Sequence, residues 1–115
     1  MIFMIILKIG GSILTKKDAP ESEVDSVNLK RIALEIKKSL DNSSKELVIV
    51  HGAGSFGHPP AKKHKIGEEF DESEYPQKRL GFCEIQNEVK KLNMYICEAF
   101  ICGCHKSIAS ACGNV

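Results

Sequence analysis

Two apolar runs, each followed at once by a glycine-rich loop, set the strongest limit on the fold. The first run is MIFMIILKI (residues 1–9), which leads into GGS, and the second is ELVIV (residues 46–50), which leads into HGAGSFGH. Their length and their Ile and Val content predict strands that are buried on both faces, as in a parallel sheet. Between them, DSVNLKRIALEIKKSLD has apolar residues at helical spacing and Asp25 or Ser26 to cap its start. Strand, helix and strand in this order predict a right-handed βαβ crossover and an α/β fold.

The remainder of the chain predicts helices and one further strand. PPAKKHK predicts a short helix because proline suits a first helical turn, and the acidic stretch IGEEFDESEYP predicts a surface loop or lid. A long helix is predicted from Gln77 to about Ile101, and KSIAS begins a third predicted strand. The apolar side of the long helix is expected to consist of Leu80, Cys83, Ile85, Val89, Leu92, Ile96, Ala99 and Phe100.

Composition narrows the class of protein. A chain of 115 residues with 43% apolar and 27% charged residues predicts one small domain with a modest core. The formal net charge of +1 gives no electrostatic support for a nucleic-acid or membrane-surface partner. The longest apolar run is too short to span a bilayer and lacks the features of a signal peptide, so we expect a cytoplasmic protein. Five cysteines without a C-x-x-C pair predict buried or incidental thiols, with neither a metal cluster nor a disulfide framework.

The second loop contains the spacing G-x-G-x-x-G at Gly52, Gly54 and Gly57, which by itself suggests a dinucleotide site. Such a site also needs an acidic residue about 20 residues later, at the end of a following strand. Here that position falls near Gln77, at the start of the predicted long helix, so the context for a dinucleotide fails. A P-loop is excluded because the chain contains no G-x-x-x-x-G-K-[ST].

The residues around the two loops favour phosphate chemistry. If the strands are neighbours, both loops lie at the carboxyl edge of the sheet, where ligands bind, and glycine lets backbone N–H groups approach an anion. Lys8 ends the first strand, Lys17 follows it in TKKD, and His58 closes the second loop. Lysines and backbone amides neutralise a phosphoryl group during transfer. On spacing alone, Lys17 beside Lys16 is more typical of plain surface, and His58 is equally compatible with a helix start.

No carboxylate in these loops is placed to act as a base. That absence fits an acceptor that is itself a phosphate monoester, because its second pKa is about 6 and it is already an oxyanion at pH 7. The other histidines have simpler interpretations. His51 at the strand end is expected to be structural, and His64, with the lysines around it, is expected to lie on a solvated face.

Three stretches, ILKIGGSILTKKD, VIVHGAGSFGHPPAKK and GFCEIQNEVKKLN, resemble the isopentenyl phosphate kinase family of the amino-acid kinase superfamily. The resemblance covers nearly everything from Met4 to about Cys102. It implies an αβα sandwich with a mainly parallel sheet. It also implies conversion of isopentenyl phosphate to isopentenyl diphosphate in isoprenoid biosynthesis, with ATP and Mg²⁺. Two alternatives stay open: a related kinase with another small acceptor, and a non-catalytic remnant that binds phosphate.

The resemblance also implies roles for individual residues. Those that would surround the ATP phosphates are Lys8, Ile9, Gly10, Gly11 and Ser12. Gly54 would lie against the nucleotide and Ala53 against the substrate, whose phosphate His58 would bind. Lys17 would stabilise the transferring phosphoryl group, with Lys8 as the second catalytic lysine, and no residue is implied as a metal ligand. The long helix from Gln77 would help to wall the isoprenoid pocket.

Members of this family are longer, and their C-terminal half holds the adenine and ribose. Residues 1–115 are therefore expected to form the N-terminal, phosphate-acceptor lobe, with the C-terminal nucleotide lobe absent. We expect the isolated chain to be inactive for that reason. The expected partners are isopentenyl phosphate and either a second copy of the chain or the missing C-terminal half.

Overall fold

The structure is a computed structural model that describes residues 3–18, 22–41, 44–69, 71–103 and 108–109, excluding the side chains of residues 58–60, 102–103 and 108–109. The described strands are β1 (Met4–Ile9), β2 (Glu46–His51) and β3 (Ile108–Ala109). The described α-helices are α1 (Gly11–Leu14), α2 (Ser26–Leu40), α3 (His58–Lys63) and α4 (Tyr75–Gly103). None of the helices in these ranges is long and apolar enough to cross a membrane.

The strands form a parallel sheet in the order β1-β2-β3. Ile9, the last residue of β1, is in register with His51, the last residue of β2. The two strands therefore end at the same edge, and the two glycine loops leave the sheet side by side. The predicted α/β fold with a parallel sheet is confirmed, and β3 lies within the predicted KSIAS strand.

One face of the sheet carries the core. Residues that are paired in register share a face, so Ile9 lies beside His51 on the same side as Leu47 and Ile49. Helices α2 and α4 both pack against this face. The residues of this cluster are Ile9, Leu14, Leu29, Ala33, Leu40, Leu47, Ile49, Phe56, Leu92, Ile96 and Phe100.

The two long helices begin close to their predicted starts. The Asp25 side chain caps α2 by accepting a hydrogen bond from the Asn28 amide at 3.1 Å, as predicted. Helix α4 begins at Tyr75, two residues before the predicted Gln77, and is preceded by a 3₁₀ turn over Glu72–Glu74 in the predicted acidic loop. The short helix α3 confirms the one predicted from PPAKKHK.

The first turns of α4 are less buried than its pattern predicted. Leu80 is 52% exposed and Cys83 is also exposed, whereas the helix is buried at Ile85 and at regular intervals beyond it. The reason is the length of the neighbouring elements. The core covers α4 only from about Ile85 onward, and His64 covers the side of Gly81. The apolar side of the remaining first turns therefore borders an open groove that includes Ile66 and Phe82.

His64 does not lie on a solvated face, and that prediction is wrong. Its side chain is only 10% exposed, and its Nε2 lies 2.5 Å from Oε2 of Glu84 on α4. The imidazole fits against Gly81, where an added Cβ would lie 2.5 Å from His64 Cβ and Cγ. The missing side chain at Gly81 therefore leaves the space in which the turn after α3 packs against α4.

The prediction that β1 is buried on both faces is also wrong. Met4 and Ile6 lie on the face opposite the core and are 60% and 70% exposed. Both long helices pack on the other face, and no described element covers this one. In addition, β1 is at the edge of the described sheet, which leaves Ile5 and Leu7 about two-fifths exposed even on the core face.

We expect this open face to make the stability of the 115-residue polypeptide low and dependent on concentration. Exposed apolar strands at a sheet edge promote association between copies. Ile6→Thr should weaken self-association in sedimentation experiments with little loss of stability, because the Ile6 side chain is largely solvated. Ile49→Thr is the matched control and should unfold the chain, because Ile49 is fully buried. A sharp melt that is independent of concentration would contradict this expectation.

Candidate active site

The two glycine loops are in direct backbone contact at the carboxyl edge of the sheet. A Cβ added to Gly11 would overlap the amide nitrogen of Gly54 and lie 2.8 Å from the carbonyl carbon of Gly52. Gly54 has a φ of +53°, and a Cβ there would overlap the carbonyl oxygen of Gly11. Only glycine at both positions allows this approach, and the expectation that the loops face each other is confirmed.

Gly10 differs from its neighbours in the first loop. A Cβ at Gly10 would meet no atom within 4 Å, so the space beside it is open. Helix α1 begins at the next residue, and the first N–H groups of a helix have no partner within that helix. Exposed Ser12 lies in this first turn. The structure therefore leaves room for a ligand on the outer side of Gly10, whereas Gly11 is occupied with loop-to-loop contact.

Two residues assigned to ligands are largely occupied with packing. The Ile9 side chain is in the main core, and its carbonyl oxygen accepts a hydrogen bond from the Gly52 amide at 3.2 Å. Ala53 is buried against Ile85 and Val89 of α4. Its methyl group also lies where a side chain at Gly57 would go, since an added Cβ there would be 2.5 Å away. Ile9 and Ala53 thus shape the floor of the site.

The structure separates the two adjacent lysines of TKKD. Nζ of Lys16 lies 3.0 Å from Oε1 of Glu23, and this hydrogen-bonded carboxylate raises the pKa of Lys16. Lys17 is exposed and has no ion pair with any described residue. The charge of Lys17 is therefore available to an anionic ligand, whereas that of Lys16 is engaged. Glu23, seven residues after Lys16, was the sequence signal that could have separated them.

Lys8 and His58 stand at the ends of the two elements that border the loops. Lys8 is exposed on the sheet face opposite the core, one residue before the end of β1. His58 is the first residue of α3, directly after the second glycine loop. The side chain of His58 lies outside the described part of the structure, so its role stays a prediction.

His51 is buried at the end of β2, as expected for a structural residue. Its Nδ1 lies 2.9 Å from the carbonyl oxygen of Gly52, and this ring nitrogen is the donor because a carbonyl can only accept. The side chain is 1% exposed, and the bond holds the first peptide of the second loop. His51 thus sets the direction in which the chain leaves the sheet.

Thr15 is the residue that sequence reasoning missed. Its hydroxyl donates to the carbonyl oxygen of Gly11 at 2.8 Å and accepts from the amide of Ser55 at 3.0 Å, so one buried group joins both glycine loops. The bond to Gly11 follows the usual pattern for a Thr four residues along a helix. The bond to Ser55 spans 40 residues and has no local signal.

The structure confirms that the context of a dinucleotide site is missing. The position that would need an acidic residue at a strand end, near Gln77, lies within α4. The described residues also contain no group of three or more His, Cys, Asp or Glu side chains that could hold a metal ion.

Comparison with known proteins identifies the architecture. Residues 3–106 match the amino acid kinase family. The chain belongs to that family. It is 50% identical over 99 residues to the isopentenyl phosphate kinase of Methanothermobacter thermautotrophicus, an alignment that covers 85% of this chain and 36% of that protein. It is 46% identical to the isopentenyl phosphate kinase of Methanocaldococcus jannaschii, over 81% of this chain and 37% of that protein.

Solved structures agree with these matches. An X-ray structure of isopentenyl phosphate kinase superposes with a TM-score of 0.79 and 48% identity, covering 87% of this chain and 40% of that one. A substrate complex of isopentenyl phosphate kinase superposes with a TM-score of 0.67 and 28% identity, covering 86% and 37%. The amino-acid-kinase fold is therefore confirmed, and the chain spans well under half the length of the relatives that it matches.

Proposed function

We propose that residues 1–115 form the phosphate-acceptor lobe of a cytoplasmic isopentenyl phosphate kinase, which transfers a phosphoryl group from ATP to isopentenyl phosphate in isoprenoid biosynthesis. One observation carries the proposal. Gly11 and Gly54 bring two loops into contact, and Thr15, which bonds to both loops, lies two residues before Lys17, which is exposed and has no ion pair with any described residue. The chain is 50% identical over 99 residues to a protein named isopentenyl phosphate kinase. Contact between the loops is what would hold donor and acceptor phosphates in line.

Each loop is assigned one phosphate. Lys8, Ile9, Gly10, Gly11 and Ser12 border the ATP phosphates, through the open side of Gly10 and the first amides of α1. Gly54, in the second loop, also lies against the nucleotide. Ala53 and His58 belong to the acceptor side, where the imidazole of His58 donates a hydrogen bond to the acceptor phosphate. Lys17 neutralises the charge that spreads over the transferring group.

The chemistry then needs no general base. An oxygen of the acceptor phosphate attacks the γ-phosphorus of ATP, the bond from that phosphorus to the bridging oxygen breaks, and ADP leaves with the electron pair. The acceptor is already an oxyanion near pH 7 because the second pKa of a phosphate monoester is about 6. The described residues offer no cluster of ligands for Mg²⁺, which is usually held by the phosphates of ATP. We assign no step to the metal.

The remaining length of the relatives is proposed to supply the nucleotide lobe, either in one polypeptide or from a partner. The chain covers 36% of the Methanothermobacter protein. The open sheet face at Met4 and Ile6 is apolar and long enough to receive a second layer of the αβα sandwich. A second copy of the chain is the other candidate for this face.

The tail of the acceptor is proposed to lie along the start of α4. Ala53, Ile85 and Val89 form a small apolar cluster that extends to Ile66, and Ile66 also lines the groove beside Phe82. Ile66 therefore connects the buried cluster behind the acceptor loop to the groove at the exposed first turns of α4. The apolar residues Ile66 and Phe82 of this groove would contact the hydrocarbon tail.

The function is tested by supplying the missing part. The 115-residue chain would be fused to the portion of the Methanothermobacter enzyme outside the matched 36% and incubated with ATP and Mg²⁺. We expect isopentenyl diphosphate to form from isopentenyl phosphate and the isolated chain to show little turnover. Preference for a carboxylate or another small acceptor would favour the related-kinase alternative. Phosphate binding without turnover would favour a non-catalytic remnant.

His58→Ala should weaken acceptor use by this fusion protein by about 1.5–3 kcal/mol, the scale of a hydrogen bond to a charged group. That corresponds to a fall of about one to two powers of ten in kcat/KM for isopentenyl phosphate. The KM for ATP should change little, because His58 follows the acceptor loop. Steady-state kinetics with each substrate varied in turn would measure this. Impaired ATP binding with unchanged acceptor kinetics would reverse the loop assignment.

A further inference from the structure

Ser55, in the second glycine loop, is hydrogen-bonded from both ends of the segment that carries Lys17. Its amide donates to Oγ1 of Thr15 at 3.0 Å, and its carbonyl oxygen accepts from Oγ of Ser22 at 2.9 Å. Thr15 and Ser22 lie on either side of Lys17 in the sequence. We call the described residues 15–18 and 22–24 the lysine segment. Both of its ends are thus tied to one residue of the acceptor loop.

The two ends of the lysine segment are also tied to each other. Thr15 and Val24 form an antiparallel bridge, and the amide of Lys16 donates to the carbonyl oxygen of Glu23 at 2.9 Å. The Lys16–Glu23 ion pair joins the same two ends of the lysine segment. The base of the segment is therefore closed and cannot shift at one end without shifting at the other.

Thr15 is the more buried of the two anchors. Its side chain is 4% exposed, and its hydroxyl is used in both directions, as donor to Gly11 and as acceptor from Ser55. A methyl group in place of this hydroxyl would leave the Gly11 carbonyl and the Ser55 amide without this partner. The residue thus holds the first loop, the second loop and the lysine segment in one arrangement.

We propose that Thr15 and Ser22 are positioning residues that act through Ser55. They keep Lys17 at a constant distance from the acceptor phosphate and so place its charge on the transferring group. The proposal rests on the proposed function, because it assigns a purpose to the distance between Lys17 and the second loop. Misplacement of a catalytic group by about 1 Å costs about a hundredfold in rate. An anchor at each end of the segment prevents such misplacement.

Coupling between the segments can be measured without any enzymatic activity. Hydrogen–deuterium exchange would be followed in peptides covering residues 16–23 and 52–57 of the 115-residue chain. Thr15→Val keeps the shape of the side chain and removes the hydroxyl, and should speed exchange in both peptides by about tenfold. Thr15→Ser keeps the hydroxyl and should resemble the parent. Ser39→Ala is the matched control, because Ser39 makes a similar 2.9 Å bond to a backbone carbonyl on the exposed side of α2.

Positioning also predicts a particular kinetic signature in the fusion protein. Thr15→Val and Ser22→Ala should lower kcat by about tenfold to a hundredfold. The KM for isopentenyl phosphate should stay within about threefold, since an interaction used only in the transition state affects turnover more than binding. Thr15→Ser should restore most of the lost turnover. A purely structural role would predict loss of active protein at unchanged kcat per folded molecule.

These experiments test the positioning role of Thr15 and Ser22 separately from the proposed kinase function. Exchange at residues 16–23 that is unaffected by Thr15→Val and by Ser22→Ala overturns the coupling. The positioning role is also overturned if these substitutions change KM for isopentenyl phosphate more than kcat. If Thr15→Val speeds exchange in α2 as well, the whole chain is destabilised and the milder Ser22→Ala decides. If the parent fusion protein lacks kinase activity, the proposed function fails, whereas the exchange data still accept or reject the coupling.

Discussion

If the proposed function holds, replacing Lys17 with alanine in the fusion protein is expected to lower kcat by about 10²–10³, the loss that follows removal of one group that stabilises transition-state charge. Lys17 is exposed and has no ion pair with the described residues, so its charge is free for the phosphoryl group. The KM values for ATP and isopentenyl phosphate should change much less than kcat, because the charge of the transferring group develops only during transfer. Steady-state kinetics with both substrates would measure the difference.

The adjacent lysine provides the control. Lys16→Ala removes the same charge one residue away, but the Lys16 side chain is bonded to Glu23 at the base of the lysine segment. An exposed ion pair of this kind contributes at most about 1 kcal/mol, so kcat should fall by no more than about tenfold. Equal losses in the two variants would show that the general positive field matters, and would remove the specific role of Lys17.

Gly11→Ala is expected to disrupt the contact between the two glycine loops. The new Cβ would overlap the Gly54 amide nitrogen and lie 2.8 Å from the Gly52 carbonyl carbon. These are backbone atoms and cannot rotate away as a side chain would. We expect the free energy of unfolding to fall by at least about 3 kcal/mol, the upper end of ordinary overpacking, with loss of the contact between the loops. Denaturant unfolding of parent and variant would measure the change.

Gly10→Ala is the matched control for stability. It adds the same methyl group one residue earlier, where no atom lies within 4 Å and the backbone (φ −61°, ψ 137°) suits any residue. Its free energy of unfolding should stay within about 0.5 kcal/mol of the parent, as for an exposed substitution. Similar destabilisation by both substitutions would mean that the close approach of Gly11 to Gly54 is not what holds the loops together.

Local sequence patterns were enough to predict the strands, the helix and the loops that form the framework of the site. The runs before Gly10 and Gly52 predicted two parallel strands, and the spacing of Leu29 and Ala33 predicted the helix between them. Parallel neighbours end at one edge, so the meeting of the two glycine loops followed from the order of the elements. Motif context also removed the dinucleotide interpretation, because the position near Gln77 has no strand before it.

Contacts between residues that are distant in the sequence were determined only by the tertiary structure. The bond between Thr15 and Ser55 joins positions 40 residues apart, and the pair of His64 and Glu84 joins positions 20 apart. Hydrophobic periodicity shows which face of an element is apolar, but not which polar side chain of another element will meet it. For that reason His64 was expected on the surface and Thr15 was not considered at all.

Strand β1 shows most clearly which properties the sequence predicts and which only the tertiary structure determines. The length and Ile content of this run predict a strand, because β-branched side chains favour an extended, packed backbone. Whether both faces of the strand are covered depends on where the neighbouring helices pack, and α2 and α4 both lie on one side of the sheet. Ile6 is therefore apolar and yet 70% exposed. Backbone conformation is set by neighbours along the chain, whereas burial is set by neighbours in space.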